Sequence, residues 1–278
     1  MLTACHILDT GHCLASEHHL ISGGARRTVE CHSLVALLHH ARHGWLLWDA
    51  GYAPRLFDAL AQFPFSLYRR ATPLCLPPEL ALPVQLDRFG LAPADVSHVL
   101  LSHFHPDHVG GLRDFPGARI VATRAAQEAV AGRTGWAALR RAFVPSLLPD
   151  DFAARATLLP PFDGPNLPFL GPTHDLFGDG SLRLVALPGH ARGQIGLYAA
   201  QVPNGGPFLF VADAAYQTRA IQENRAAHAI TNVFTDDVRA ARQTLARLHA
   251  FATARPDVTL VPTHCPDAYR RFVGMVTP

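Results

Sequence analysis

SHFHPDHVGG, residues 102–111, follows the apolar run Val96–Leu101 without a break and places His103, His105, Asp107 and His108 within six residues. The run reads as a buried strand, so the histidines fall on the loop just beyond it. In extended or turning backbone, the two-residue spacing of His103 and His105 lets both rings face one side, while the turn at Pro106 aims Asp107 and His108 into a neighbouring position. One short loop can thereby serve two metals. Gly110 and Gly111 follow at once, where side chains would obstruct a helix start beside a crowded site. Imidazole and carboxylate are ligands that zinc accepts, and four of them in six residues are too many for surface decoration.

Outward from this loop the chain alternates strand and helix signals. Ser33–His40 and His43–Asp49 form a hairpin pattern across Ala41-Arg42, with Gly51 turning the chain beyond the second run. Downstream, Arg119–Ala122 reads as a strand and Thr123–Ala131 as a helix. Residues 136–180 are rich in Pro, Gly and Phe with weak periodicity, the pattern of an insertion or lid. Ser181–Leu187, Gln194–Ala200 and Pro207–Val211 are strand-like, with turn chemistry at Pro188-Gly189 and Asn204-Gly205-Gly206. Asp236–Ala252 puts Val238, Ala241, Leu245, Leu248 and Phe251 on one helical face, and Val258–Val261 is a last strand running into His264. This mixture is an α/β or α+β chain with helices covering sheets, expected to form one domain over residues 1–278.

SHFHPDHVGGL resembles the HxHxDH signature of the metallo-β-lactamase superfamily, and further landmarks follow in the right order. GWLLWDAG is similar to the strand ending in Asp-x-Gly, here Asp49 and Gly51; PGHARGQ, LFVADAAY and VPTH resemble the later ligand segments and give His190, Asp213 and His264. The resemblance implies an αβ/βα sandwich, two sheets face to face with helices outside. It also implies two metals: His103, His105 and His190 hold one, Asp107, His108 and His264 the other, and Asp213 bridges them. Asp49 is read as orienting the ligand loop through hydrogen bonds. Oxygen-reducing diiron relatives carry a glutamate where His105 stands, so the site here is richer in nitrogen and suits two Zn2+, with Co2+, Mn2+ or Fe2+ as substitutes.

The chemistry implied is hydrolysis by a metal-bridging hydroxide, with Asp107 shuttling a proton to the leaving oxygen. Tyr216, three residues after Asp213, gives an Asp-x-x-Tyr arrangement resembling the N-acyl homoserine lactonases, where that tyrosine hydrogen-bonds the substrate carbonyl. A lactone-opening hydrolase is therefore expected. A glyoxalase II-like thioesterase shares all seven ligands and stands second; its basic C-terminal segment is not evident in CPDAYRRFVGMVTP, although Arg270 and Arg271 could bind an anion. Phosphodiesterase chemistry stands third. True β-lactamases generally lack the bridging aspartate, and a non-enzymatic binding module fits poorly with a complete ligand set.

Composition narrows the partners. The 278 residues carry a net charge of +2 and no Lys/Arg-rich run, which argues against nucleic acid. No signal peptide or stretch of membrane-spanning length is evident, and the five cysteines lack CxxC spacing, so a cytoplasmic protein acting on a small-molecule substrate is expected. Many of the 17 histidines, such as His18, His39 and His174, show no ligand spacing. Trp136, Phe143, Phe152, Phe162 and Phe169 read as the small core of the 136–180 stretch more than as an acyl-chain groove. The apolar segment 52–78 covers the active site, forms a homodimer patch, or folds onto its own domain.

Overall fold

Thirteen strands in the computed structural model, which describes residues 1–203 and 205–273, pair into two mixed sheets. The first sheet contains β1 (Leu2–Ser16), β2 (Thr28–His40), β3 (Gly44–Trp48), β4 (Leu74–Cys75), β5 (Val96–Leu100), β6 (Arg119–Thr123) and β7 (Ala156–Leu159), in the order β4-β1-β2-β3-β5-β6-β7. The second contains β8 (Asn166–Leu167), β9 (Gly171–Asp175), β10 (Leu182–Ala186), β11 (Ile195–Ala199), β12 (Phe208–Ala212) and β13 (Thr259–Pro262), in the order β13-β12-β11-β10-β9-β8. Antiparallel hairpins build β1, β2 and β3, while β3, β5, β6 and β7 run parallel through crossovers.

Alternation along the strands explains the layering. Leu38, Leu46, Trp48 and Leu100 of the first sheet pack against Leu184, Leu197, Phe210 and Val261 of the second. The other face of the first sheet, with Leu37, Leu47, Val99 and Ile120, is covered by Leu56, Leu60, Leu82 and Phe115. Val185, Leu209 and Val211 on the outer face of the second sheet bury Leu245, Leu248 and Phe251 of the helix Val238–Ala254. That helix starts where its capping residue dictates, since the Asp237 carboxylate accepts a hydrogen bond from Ala240 N. The result is the αβ/βα sandwich.

The stretch 136–180, expected as an insertion or lid, supplies β7 to the edge of the first sheet and β8 and β9 to the second. Its strands are two to five residues long, too short to show a period between turns. The long first strand β1 had no sequence signal of its own, yet it pairs with β2 from Leu2↔His40 to Ser16↔Thr28. Of the expected turn Asn204-Gly205-Gly206, Asn204 lies outside the described residues, as does the end of the C-terminal segment from residue 274. No helix among the described residues is long and apolar enough to cross a membrane.

Candidate metal centre

Every singled-out ligand sits just beyond the C-terminal end of a strand, so the two sheets deliver their side chains to one common edge. The loop after β5 carries His103, His105, Asp107 and His108; His190 follows β10, Asp213 follows β12 and His264 follows β13. Two clusters result, His103, His105, His190 and Asp213, and Asp107, His108, Asp213 and His264, with Asp213 common to both. His190 Nε2 stands 3.0 Å from His105 Nδ1 and 3.4 Å from Asp213 Oδ2. His264 Nε2 stands 3.1 Å from Asp213 Oδ2 and 3.2 Å from Asp107 Oδ2, and His108 Nε2 lies 3.4 Å from both Asp107 Oδ2 and Asp213 Oδ1.

The groups behind the ligands fix which ring nitrogen faces inward. Asp49 Oδ2 accepts from His108 Nδ1 at 2.8 Å, and its Oδ1 accepts from Ser102 N at 2.7 Å. The Ser102 hydroxyl donates to Asp49 at 2.8 Å and lies 3.0 Å from His103 Nδ1. On the other side His264 Nδ1 donates to the His32 carbonyl at 2.6 Å, and Ser33 Oγ donates to the Asp107 carbonyl at 2.8 Å. A histidine whose Nδ1–H is held in this way offers its Nε2 lone pair to a cation. Asp49 and Ala212 both have left-handed backbone, with φ of 58° and 47°, a strain that the surrounding loops maintain at this edge.

The loop carrying His190 is pinned with equal closeness. Gly189 has φ of +135°, and a Cβ there would meet Ala241 N at 2.2 Å. Its carbonyl accepts from Asp237 N, and the His190 carbonyl from Asp236 N, so the helix start holds the ligand loop directly.

Electrostatics separates the ligands. Burial holds His103 and His190 below the ordinary imidazole value and takes His105 down to about 3, so these rings are neutral. Burial also opposes charge on His108 and His264, but Asp107, Asp49 and Asp213 around the first, and Asp213 and Asp107 around the second, outweigh it and raise both. Asp107 and Asp213 are correspondingly held well below the usual carboxylate range despite burial, chiefly by His108 and His264. His103 Nε2, His108 Nε2 and Asp213 Oδ1 are buried without a hydrogen-bond partner among the described residues. Orphaned lone pairs converging from imidazoles and carboxylates are costly unless cations complete them, so the residues present fit two divalent metals.

A cavity of about 480 Å³ opens in front of this edge. His105, Asp107, His190, Asp213 and His264 form its floor, and Tyr216 stands beside them with its hydroxyl 3.3 Å from His190 Nδ1. Burial, and then the charge of Asp213, push the Tyr216 phenol well above its ordinary value, so it remains a neutral donor. The walls come from places that carried no motif: Cys13, Leu20 and Cys31, Tyr52 and Tyr68, and Phe234. From 136–180 only Ala142 among the described residues reaches the cavity. Phe143 is buried in the core beneath the first sheet, where Phe152 packs; Phe162 packs between the sheets, and Trp136 and Phe169 are exposed. The segment 52–78 lines the cavity through Tyr52, Tyr68 and Thr72 and turns Phe63 and Leu67 outward. Arg270 pairs with Asp267 and Arg271 lies over the Phe272 ring, away from the cavity.

Two mixed sheets face to face beneath helices, with a double cluster of imidazoles and carboxylates at their shared edge, define a divalent-metal-binding αβ/βα protein. The chain belongs to the metallo-beta-lactamase superfamily, whose family model matches residues 29–264. The N-acyl homoserine lactonase AttM of Rhizobium radiobacter is 33% identical over 194 residues, covering 68% of this chain and 65% of that protein, so the match spans just under two thirds of the relative's length. Among solved structures, an AiiA variant from B. thuringiensis with N-decanoyl-L-homoserine bound at its active site superposes with a TM-score of 0.71 at 17% identity, covering 98% of this chain and 96% of that one. An N-acyl homoserine lactone hydrolase with N-hexanoyl-L-homoserine bound at its catalytic metal center gives the same TM-score, identity and coverage. At that identity the two structures speak for the fold.

Proposed function

We propose that the protein is a dinuclear zinc hydrolase that opens the ring of N-acyl homoserine lactones in the cytoplasm. The observation that carries the reading is the Tyr216 hydroxyl, a neutral donor standing 3.3 Å from His190 at the floor of a largely apolar cavity. The AttM relative supports the substrate class.

His103, His105 and His190 would hold one cation, Asp107, His108 and His264 the other, with Asp213 shared. When bound, the pair would polarise a carbonyl and bring the pKa of a coordinated water down toward neutrality. The chain's own residues do the rest. Tyr216 donates its phenolic proton as a hydrogen bond to the lactone carbonyl oxygen, where negative charge grows during attack. Asp107, ionised and facing the cavity, takes the proton of the attacking water and returns it to the ring oxygen as the C–O bond breaks. Leu20 and Phe234 offer apolar surface to the acyl chain, and Asp49 with Ser102 keeps His103 and His108 in register. The open-chain acyl homoserine leaves with the water's oxygen in its new carboxyl group, whose remaining proton passes to solvent.

The test compares ring opening of short- and long-chain acyl homoserine lactones with hydrolysis of a thioester and a phosphodiester by one metal-replete preparation. Lactone turnover at kcat/KM above roughly 10⁴ M⁻¹s⁻¹, well ahead of the other two, is expected. A preference for the thioester or the phosphodiester would leave the metal site standing and remove the lactone assignment.

A further inference from the structure

We propose that His12, Glu30 and His32 form a third site for a divalent transition metal of the zinc class, on the face of the β1–β2 pair opposite the cavity. His12 and His32 are directly opposed in the antiparallel register, and Glu30, two residues before His32, shares their face. Cys13 and Cys31, one residue on, are the next opposed pair and line the cavity from the other face. One ligand atom from each of His12, Glu30 and His32 lies within 4.8 Å of the others. His12 Nε2 is 3.8 Å from Glu30 Oε1, and His32 Nε2 is 3.5 Å from Glu30 Oε2. Ligands about 2.0–2.2 Å from a tetrahedral zinc stand about 3.3–3.6 Å apart, so small side-chain adjustments close the set.

The sharpest feature is His32, whose side chain is 5% exposed. Its Nδ1 lies 3.0 Å from Oδ2 of the buried Asp9 carboxylate, and its ring stacks on Tyr269 at 3.7 Å between centroids and 7° between planes. With Nδ1 held by Asp9, Nε2 is left aimed at the Glu30 carboxylate 3.5 Å away, the placement of two donor atoms that a shared cation would join. Carboxylate, histidine and cation in that order is the arrangement by which proteins orient metal-binding imidazoles. Two imidazoles and a carboxylate suit zinc better than calcium or magnesium, and the 57% exposure of Glu30 leaves a path for the ion and for water ligands.

This site is independent of the lactone reading. Metal-free protein is dialysed against graded Zn2+, and bound zinc per chain is measured by atomic emission for wild type, Glu30→Gln, His12→Gln and Asp9→Asn. Wild type is expected to take up one equivalent more than Glu30→Gln and His12→Gln, and Asp9→Asn to bind that equivalent about 10- to 100-fold more weakly. Equal uptake by wild type and both ligand variants would overturn the third site, with a proton rather than a metal lying between His32 and Glu30, and would leave the dinuclear centre untouched. An equivalent lost on Glu30→Gln from a chain that binds no other would support the third site and sink the dinuclear one.

Discussion

Tyr216 touches both the ligand set and the space where a substrate would lie, which makes its hydroxyl a sensitive probe. Tyr216→Phe is expected to lower kcat for lactone opening about 10²-fold, the usual cost of losing one donor to a developing oxyanion, with metal content unchanged. An unaltered kcat would remove the tyrosine from the chemistry. The ligands themselves make a pH prediction for the metal-free protein. His108 and His264 are raised above 6.5 when folded, so their stabilising contribution is full below that value and is lost as pH rises through the folded values. Asp107 and Asp213, held below 3.8, contribute above that value and lose the contribution only in strong acid. Metal-free protein should therefore melt lower at about pH 9 than at about pH 7, where the lowered His103, His105 and His190 are largely neutral both folded and unfolded, and cation uptake near neutrality should release protons, seen by calorimetry in buffers of different ionisation enthalpy. A flat melting profile with no proton release would contradict these assignments. The clustering of the candidate ligands was legible because they sit in short, recognisable segments. His12 and His32 were not, since twenty residues separate them and only the β1–β2 register brings them together.

Among the elements, the loop from Ala186 to Ile195 is the one whose geometry is most tightly forced. Gly189→Ala would place a methyl group against the Ala241 backbone in a left-handed conformation, and a cost of about 2–4 kcal/mol, or roughly 5–15 °C in Tm, is expected. Because His190 is the next residue, cation affinity should fall with it, and a thermal scan of loaded and metal-free protein reads both. A variant as stable and as well loaded as wild type would show that the helix start does not hold this loop. β5, β6, β10, β12 and β13 could be read from the sequence because each is a short apolar run ended by turn residues. β1 could not: His6, Asp9, Thr10 and His12 interrupt its alternation, and Gly11, at φ of +113°, bends it. Its place comes from distant pairing with β2, which no local pattern records.

Across the whole molecule, two sheets bring candidate ligands from residue 103 to residue 264 to one edge, and order along the chain was enough to anticipate that their side chains converge. The cavity walls were not legible, because β1, the 52–78 segment and the stretch around Phe234 each contribute a few side chains with no shared spacing. Shape, which decides substrate, therefore had to come from the fold. The most direct test strips the protein with a chelator, returns Zn2+ in steps and follows acyl homoserine lactone opening in the same samples. Activity should be absent without metal and rise to its maximum when the high-affinity dinuclear centre fills, at about two equivalents per chain. Lactone opening that survives complete metal removal, or full metal loading with no lactone opening, would contradict the account.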